Sequence, residues 1–292
     1  MKRALVALLL ASMAAVPARA QKPQPDFRDT LSKATLAVYA GKQTCKYVTV
    51  ESFFGEFPEW TCGFESHFVC TSTVISEDDG TYFGLTAGHC FDYDRMDQGY
   101  KYYISDGVNE HPVLREIHIL KFESNDQYDY GVFTFDSTRI YPTIKASHGS
   151  IPTLGTKLLN VNFSLGVVKE VVEGPVVSNQ ISEVESIRAP HLRRRYMVQL
   201  PIGPGASGSA VVDEDSHEIV GLVEASFPST QMAAVVMPVG SNFGDFLEDD
   251  SVGMKPLPEP KSTSEQEGKQ SLVDKIRSLY DYFFHKDQKS WQ

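Results

Sequence analysis

Between residues 34 and 248 the chain breaks into short β-branched and aromatic runs, with turn residues between them at close intervals. The runs lie at 34–39, 68–75, 82–87, 112–120, 131–135, 157–162, 165–172, 196–200, 210–213, 219–225 and 233–237. Helical periodicity is scarce, and residues 239–247 are the one stretch in this region that reads as helix. So many short strands in one continuous region predict an all-β protein built from barrels or a sandwich.

The ends of the chain differ from this body. Lys2 and Arg3 precede an apolar stretch over 4–16, and Ala18-Arg19-Ala20 closes it with the small-x-small pattern of a secretory signal peptide. The apolar stretch is short for a membrane span. Residues 1–20 therefore predict a cleaved signal peptide and a secreted or periplasmic protein. Removing Lys2, Arg3 and Arg19 takes the formal charge from −11 to −14. That acidity argues against a nucleic-acid partner. The one dense basic run, His191-Leu192-Arg193-Arg194-Arg195, reads as the solvated beginning of a strand. Beyond residue 250, Pro256, Pro258 and Pro260 and the polar stretch 261–270 predict an extended linker over 251–270. Leu272, Val273, Ile276, Leu279, Tyr280, Phe283 and Phe284 then recur at helical spacing, predicting an amphipathic helix over 271–286. Docking on the body or on a partner is the ordinary use of such a face. A membrane surface is the weaker reading, since Asp274 and Asp281 dilute its positive charge.

Four cysteines stand at 45, 62, 70 and 90, without the Cys-x-x-Cys spacing of a zinc site. In an exported chain they predict two disulfides, and spacing alone leaves three connectivities open. No metal or cofactor is called for.

The chemistry concentrates in Gly203-Pro204-Gly205-Ala206-Ser207-Gly208-Ser209. Glycines two before and one after Ser207 let the backbone turn tightly and bring amide N–H groups beside its hydroxyl. Such amides can stabilise charge developing on a carbonyl oxygen under attack. A serine hydroxyl needs a base, and His89 in Leu85-Thr86-Ala87-Gly88-His89-Cys90 can serve. Asp129, in Asp129-Tyr130-Gly131-Val132, would hold the imidazole tautomer. Asp126 lies three residues earlier, but the small Gly131 and the β run after it favour Asp129.

These segments resemble those of the chymotrypsin-like (trypsin-like, PA clan) serine peptidases, whose triad has the chain order His, Asp, Ser. The Ala-Gly-His form is similar to streptogrisin-like members. The run 202–209 resembles the nucleophile loop of the high-temperature-requirement (Deg) peptidases, and its Ser-Gly-Ser ending that of glutamyl endopeptidases. The resemblance implies two six-stranded antiparallel barrels over 27–250, with the site in the cleft between them. It implies a serine endopeptidase working on protein or peptide substrates through an acyl-enzyme. It assigns His89, Asp129 and Ser207 as the triad and Gly205 and Ser207 as the oxyanion hole. It puts Ile202, Glu224, Ala225 and Ser226 at the substrate, and implies the pairs Cys70–Cys90 and, by remainder, Cys45–Cys62. Glu224 would disfavour an acidic side chain beside the scissile bond. In zymogens of this family an Asp before the nucleophile pairs with a newly cut N-terminus. Ala206 stands there, so the oxyanion hole is expected to form without that ion pair.

Two other functions compete. A protease fold without activity could bind a partner, although such repurposing normally loses a triad residue. An α/β-hydrolase esterase would need Gly-x-Ser-x-Gly and an Asp and His after the serine. Position 209 is Ser, and the nearby downstream histidine, His217, sits in a turn-like stretch.

Overall fold

The computed structural model describes residues 26–52, 55–107, 112–147, 149, 151–166, 168–178, 195–226 and 234–249. The expected signal peptide, linker and C-terminal helix lie outside them.

The described chain is all-β with short helices. Helix α1 (Phe27–Ala34) leads into β1 (Thr35–Ser52), β2 (Gly55–Asp78) and β3 (Thr81–Thr86). A 3₁₀ turn (Gly88–Cys90) and α2 (Tyr93–Asp97) precede β4 (Lys101–Ser105), β5 (Arg115–Glu116), β6 (His118–Ser124) and β7 (Asp129–Asp136). These strands form one seven-stranded sheet in the order β5-β4-β1-β2-β3-β7-β6. The second half contains β8 (Lys157–Asn162), β9 (Glu170–Ser178), β10 (Tyr196–Val198), β11 (Ala210–Asp213), β12 (Ile219–Ser226) and β13 (Ala234–Pro238). They close a six-stranded antiparallel barrel, ordered β10-β13-β12-β11-β8-β9, and α3 (Ser241–Glu248) ends it.

Each half has its own apolar interior, and a third cluster joins them. Leu85 and Val132 of the first half pack there with Leu159, Val161 and Ile219 of the second, under Leu31 of α1 and Phe243 and Phe246 of α3. Burying a side chain such as Leu31 is worth roughly 1.5–3 kcal/mol, so both terminal helices help to clamp the halves together. Lys121 secures α3 from the first half. Its Nζ donates to the Leu247 and Asp249 carbonyls at 3.3 and 2.7 Å, where the helix dipole favours a cation.

The structure departs from the expected strand limits in places with identifiable causes. Helix α1 was not expected. It forms because Asp26 caps it by accepting from the Arg28 N–H at 3.0 Å, and because Leu31 and Ala34 are buried on one side. The expected strand at 165–172 begins at Glu170, since residues 164–166 make a 3₁₀ turn. Beyond the sheet body, β1 and β2 continue as one long antiparallel pair from Thr35↔Thr73 to Ser52↔Gly55. In this arm Cys45 lies opposite Cys62 and forms a disulfide with it, and the exposed Tyr47 packs against Trp60 at 4.6 Å between ring centroids.

Candidate active site

Strand pairing brings His89 and Asp129 together. Thr86, the last residue of β3, pairs with Gly131 of β7, so the turn after β3 meets the beginning of β7. Gly88 makes this approach possible: a Cβ there would lie 1.8 Å from the Glu123 carbonyl oxygen. Asp129 accepts from the His89 backbone N–H at 2.9 Å, and its Oδ2 lies 2.8 Å from His89 Nδ1. The Asp129 side chain is 1% exposed and that of His89 37%, so the far edge of the ring remains open. Asp126 makes no contact with the imidazole among the described residues; its carbonyl accepts from Arg195. Burial pulls the His89 pKa down, but the hydrogen bond and charge of Asp129, aided by Glu224, hold it above its ordinary 6.5.

Ser207 comes from the second half, on the loop before β11. Gly205 (φ 95°) and Gly208 (φ 81°) adopt left-handed backbone on either side of it, and a Cβ on Gly208 would strike Thr86 and Thr71. Thr71, fully buried on β2, binds this loop to the first half. Its N–H donates to the Ser207 carbonyl at 2.9 Å, and its hydroxyl donates to the Gly205 carbonyl at 2.8 Å. The disulfide Cys70–Cys90 joins the residue before Thr71 to the residue after His89. A continuous chain of covalent and hydrogen bonds thus runs from the serine loop to the imidazole. The Ser207 hydroxyl donates to the Glu224 carbonyl at 3.3 Å, and no hydrogen bond joins it to His89 among the described residues.

The amides at this loop differ in their pairing. The Leu165 N–H donates to the Pro204 carbonyl at 2.6 Å. Because the 204–205 peptide is trans, the Gly205 N–H points the opposite way. Among the described residues neither the Gly205 nor the Ser207 N–H meets an acceptor. Leu165 itself has φ 59°, a strained conformation for a leucine, held next to the site.

A buried polar network supports the loop from below. Ser209 Oγ donates to the Ala206 carbonyl at 2.6 Å and accepts from Asn160 Nδ2 at 2.8 Å. Asn162 donates to Asn160, Ser164 Oγ to Asn162, and the Gly203 N–H to Ser164. Thr71, Asn160 and Asn162 were given no role in the sequence, where they read as ordinary strand residues, and Ser164 was not singled out. The sulfurs of Cys70 and Cys90 lie within 4.8 Å of a His89 ring nitrogen, but a disulfide offers no thiolate to a metal ion.

One expectation needs correction. Arg195 was read as part of a solvated basic run, yet it is fully buried and donates from Nε to Glu224 Oε2 at 2.7 Å. A guanidinium can be buried when its donors find acceptors, and here Glu224 and backbone carbonyls supply them. Both Glu224 carboxylate oxygens are engaged with Arg195. Residues 191–194 lie outside the described residues. Ile202 is buried in the second barrel's core at 4% exposure, while Ala225 and Ser226 are half-buried on β12.

Comparison with known proteins agrees with the fold. Residues 70–222 match the trypsin-like peptidase domain, and the chain belongs to that family. Its broad class is therefore that of the protease hydrolases. Among solved structures, the HtrA-type protease AlgW with a decapeptide is 15% identical, with a TM-score of 0.55 over 75% of this chain and 65% of that one. A variant of AlgW with a decapeptide is 16% identical, with a TM-score of 0.50 over 73% and 62%. The likeness is one of fold, and the chain spans less than two thirds of the length of these structures. No curated protein matches the sequence.

Proposed function

We propose that the protein is a secreted or periplasmic serine endopeptidase in which Ser207 is the nucleophile, His89 the general base and acid, and Asp129 the partner that orients His89. The observation that carries this reading is the 2.8 Å contact of His89 Nδ1 with a buried Asp129, beside a serine loop whose two amides are left open. Asp129 fixes the tautomer that carries its proton on Nδ1 and leaves Nε2 to accept.

The Ser207 hydroxyl turns from the Glu224 carbonyl to His89 when a peptide enters; such catalytic contacts are commonly loose before substrate binds. Oγ then bonds to the scissile carbonyl carbon while its proton passes to His89 Nε2. The carbonyl π electrons move to oxygen, which meets the Gly205 and Ser207 N–H groups. Collapse of this intermediate breaks the C–N bond, and the imidazolium gives its proton to the leaving amine. Water repeats the sequence on the acyl-enzyme and frees Ser207.

The oxyanion hole forms in this reading without an N-terminal ion pair. Pro204 is held by Leu165, and Ala206 by Ser209, so the loop is supported by neutral hydrogen bonds instead. Ala225 and Ser226 line the approach of the substrate, whose side chain before the scissile bond is apolar or small. The decapeptide in the AlgW structures supports a peptide as ligand for a fold of this kind.

The test is kinetic. Mature protein beginning at Gln21 cleaves members of a peptide library, and Ser207→Ala and His89→Ala each lose at least about a hundredfold in turnover, without adding in the double variant. Retention of more than about a hundredth of turnover by Ser207→Ala would show that another group attacks.

A further inference from the structure

A buried ion pair beside the active site has no part in the steps above. Arg195, the residue before β10, is 0% exposed. Its guanidinium holds both Glu224 oxygens, from Nε at 2.7 Å and from Nη2 at 3.3 Å. The same group donates from Nη1 to the Asp126 carbonyl at 3.2 Å and from Nη2 to the Asn125 carbonyl at 3.4 Å. Those carbonyls belong to the tight turn between β6 and β7. Asn125 closes that turn, its N–H donating to the Tyr128 carbonyl and its side chain accepting from the Gln127 and Tyr128 N–H groups. Asp129 is the next residue. On the other side, Glu224 receives the Ser207 hydroxyl on its backbone oxygen. One guanidinium therefore connects the turn that delivers Asp129 to the residue that holds Ser207.

Stability alone is a poor reason for this arrangement, because replacing a buried ion pair by apolar side chains is often neutral or favourable. We propose that Arg195 and Glu224 are positioning residues, which fix the Asp129 turn against β12, the strand that holds the Ser207 loop, and set the charge felt by His89. This rests on the triad reading above.

The charges around the pair make the idea specific. Glu224 is faced by Arg195 from the start of β10, by Asp129 and Tyr130 from β7, and by His89 from the 3₁₀ turn. Burial holds the Tyr130 phenol well above its usual range, so it stays neutral. Burial raises the Glu224 carboxyl, Arg195 pulls it back, and Asp129 adds to the rise. Glu224 in turn contributes to holding His89 in its charged form, after Asp129.

Two variants separate the two roles. Glu224→Gln keeps the outline of the side chain and one acceptor for Arg195 but removes the negative charge. His89 should then titrate lower by about half a pH unit or more, as expected for loss of a nearby unit charge in a partly buried cluster. Arg195→Lys keeps the positive charge but loses the planar fork that spans Glu224 and the turn. It should lower kcat at least about tenfold with KM within about threefold, because Asp129 and Ser207 lose their common anchor.

The His89 titration is read by NMR in a Ser207→Ala background, its signal assigned by loss in His89→Gln. It therefore reports on the pair whether or not the protein cleaves peptides. An inert wild-type protein would overturn the peptidase reading. A His89 titration unmoved by Glu224→Gln would overturn the charge-setting role on its own, and a folded Arg195→Lys with unchanged kcat would overturn the positioning role. Should Arg195→Lys fail to fold, the Glu224→Gln titration alone decides the proposal.

Discussion

Replacing Thr71 with Val removes one hydroxyl from the junction of the two halves and leaves the outline of the side chain almost unchanged. That hydroxyl donates to the Gly205 carbonyl at 2.8 Å and accepts from the Phe163 N–H at 3.1 Å. Thr71 is fully buried, so water does not readily replace either bond. A buried polar group left without its partner costs about 1–3 kcal/mol, and two are left here. A loss of about 2–6 kcal/mol is expected. For a domain of this size that lowers the melting temperature by roughly 4–24 °C. Catalysis should suffer separately. Freed of its anchor, the Gly205 peptide moves its N–H away from the substrate oxygen, and loss of such a donor costs about 10²–10³ in kcat. Partial displacement predicts a fall of about 10–100-fold with KM within about threefold. Initial rates on a fluorogenic peptide, beside thermal denaturation of the same samples, measure both. A Val variant with wild-type kcat and a melting temperature lowered by less than about 1 °C would refute the view that Thr71 holds the serine loop.

The other predictions follow from the same geometry. Because His89 must be neutral to accept a proton and its pKa is held above 6.5, kcat/KM should rise with pH through a midpoint above that value; a midpoint below about 6 would contradict the Asp129 contact. Truncation after Asp250 should leave cleavage of small peptides nearly unchanged, because Lys121 anchors the chain through Asp249 and the site lies upstream. Unfolding of that truncated protein would make the tail part of the core.

How legible all this was in the sequence depends on how local each signal is. The runs at 82–87, 131–135, 157–162, 210–213 and 219–225 became strands because β-branched and aromatic residues there are buried. The limits of the family motifs were equally local: Gly88 is small because a carbonyl lies against it, and Gly205 and Gly208 because the backbone turns left-handed. Helix α1 was missed because its eight residues carry two buried side chains and a cap, too little for a periodic pattern. The outer part of the β1–β2 arm was missed because its apolar residues, such as Tyr47, Trp60 and Phe64, are exposed, and the arm is held by pairing across the hairpin instead of by a core. Arg195 was misread for a general reason. A charged run looks solvated until the fold brings acceptors to it, and those acceptors, Glu224, Asn125 and Asp126, lie 29 to 70 residues away. The same distance hid Thr71, whose partner carbonyl on Gly205 is 134 residues downstream.

The central claim is that Ser207, activated by His89 and Asp129, is the attacking group. Treatment of the mature protein with diisopropyl fluorophosphate, followed by digestion and mass mapping, tests it directly. Displacement of fluoride by Oγ should leave one phosphoryl adduct per molecule on the peptide containing Ser207, lost in Ser207→Ala and strongly slowed in His89→Ala. An adduct on a different residue, or none on wild-type protein that cleaves peptides, would contradict the account.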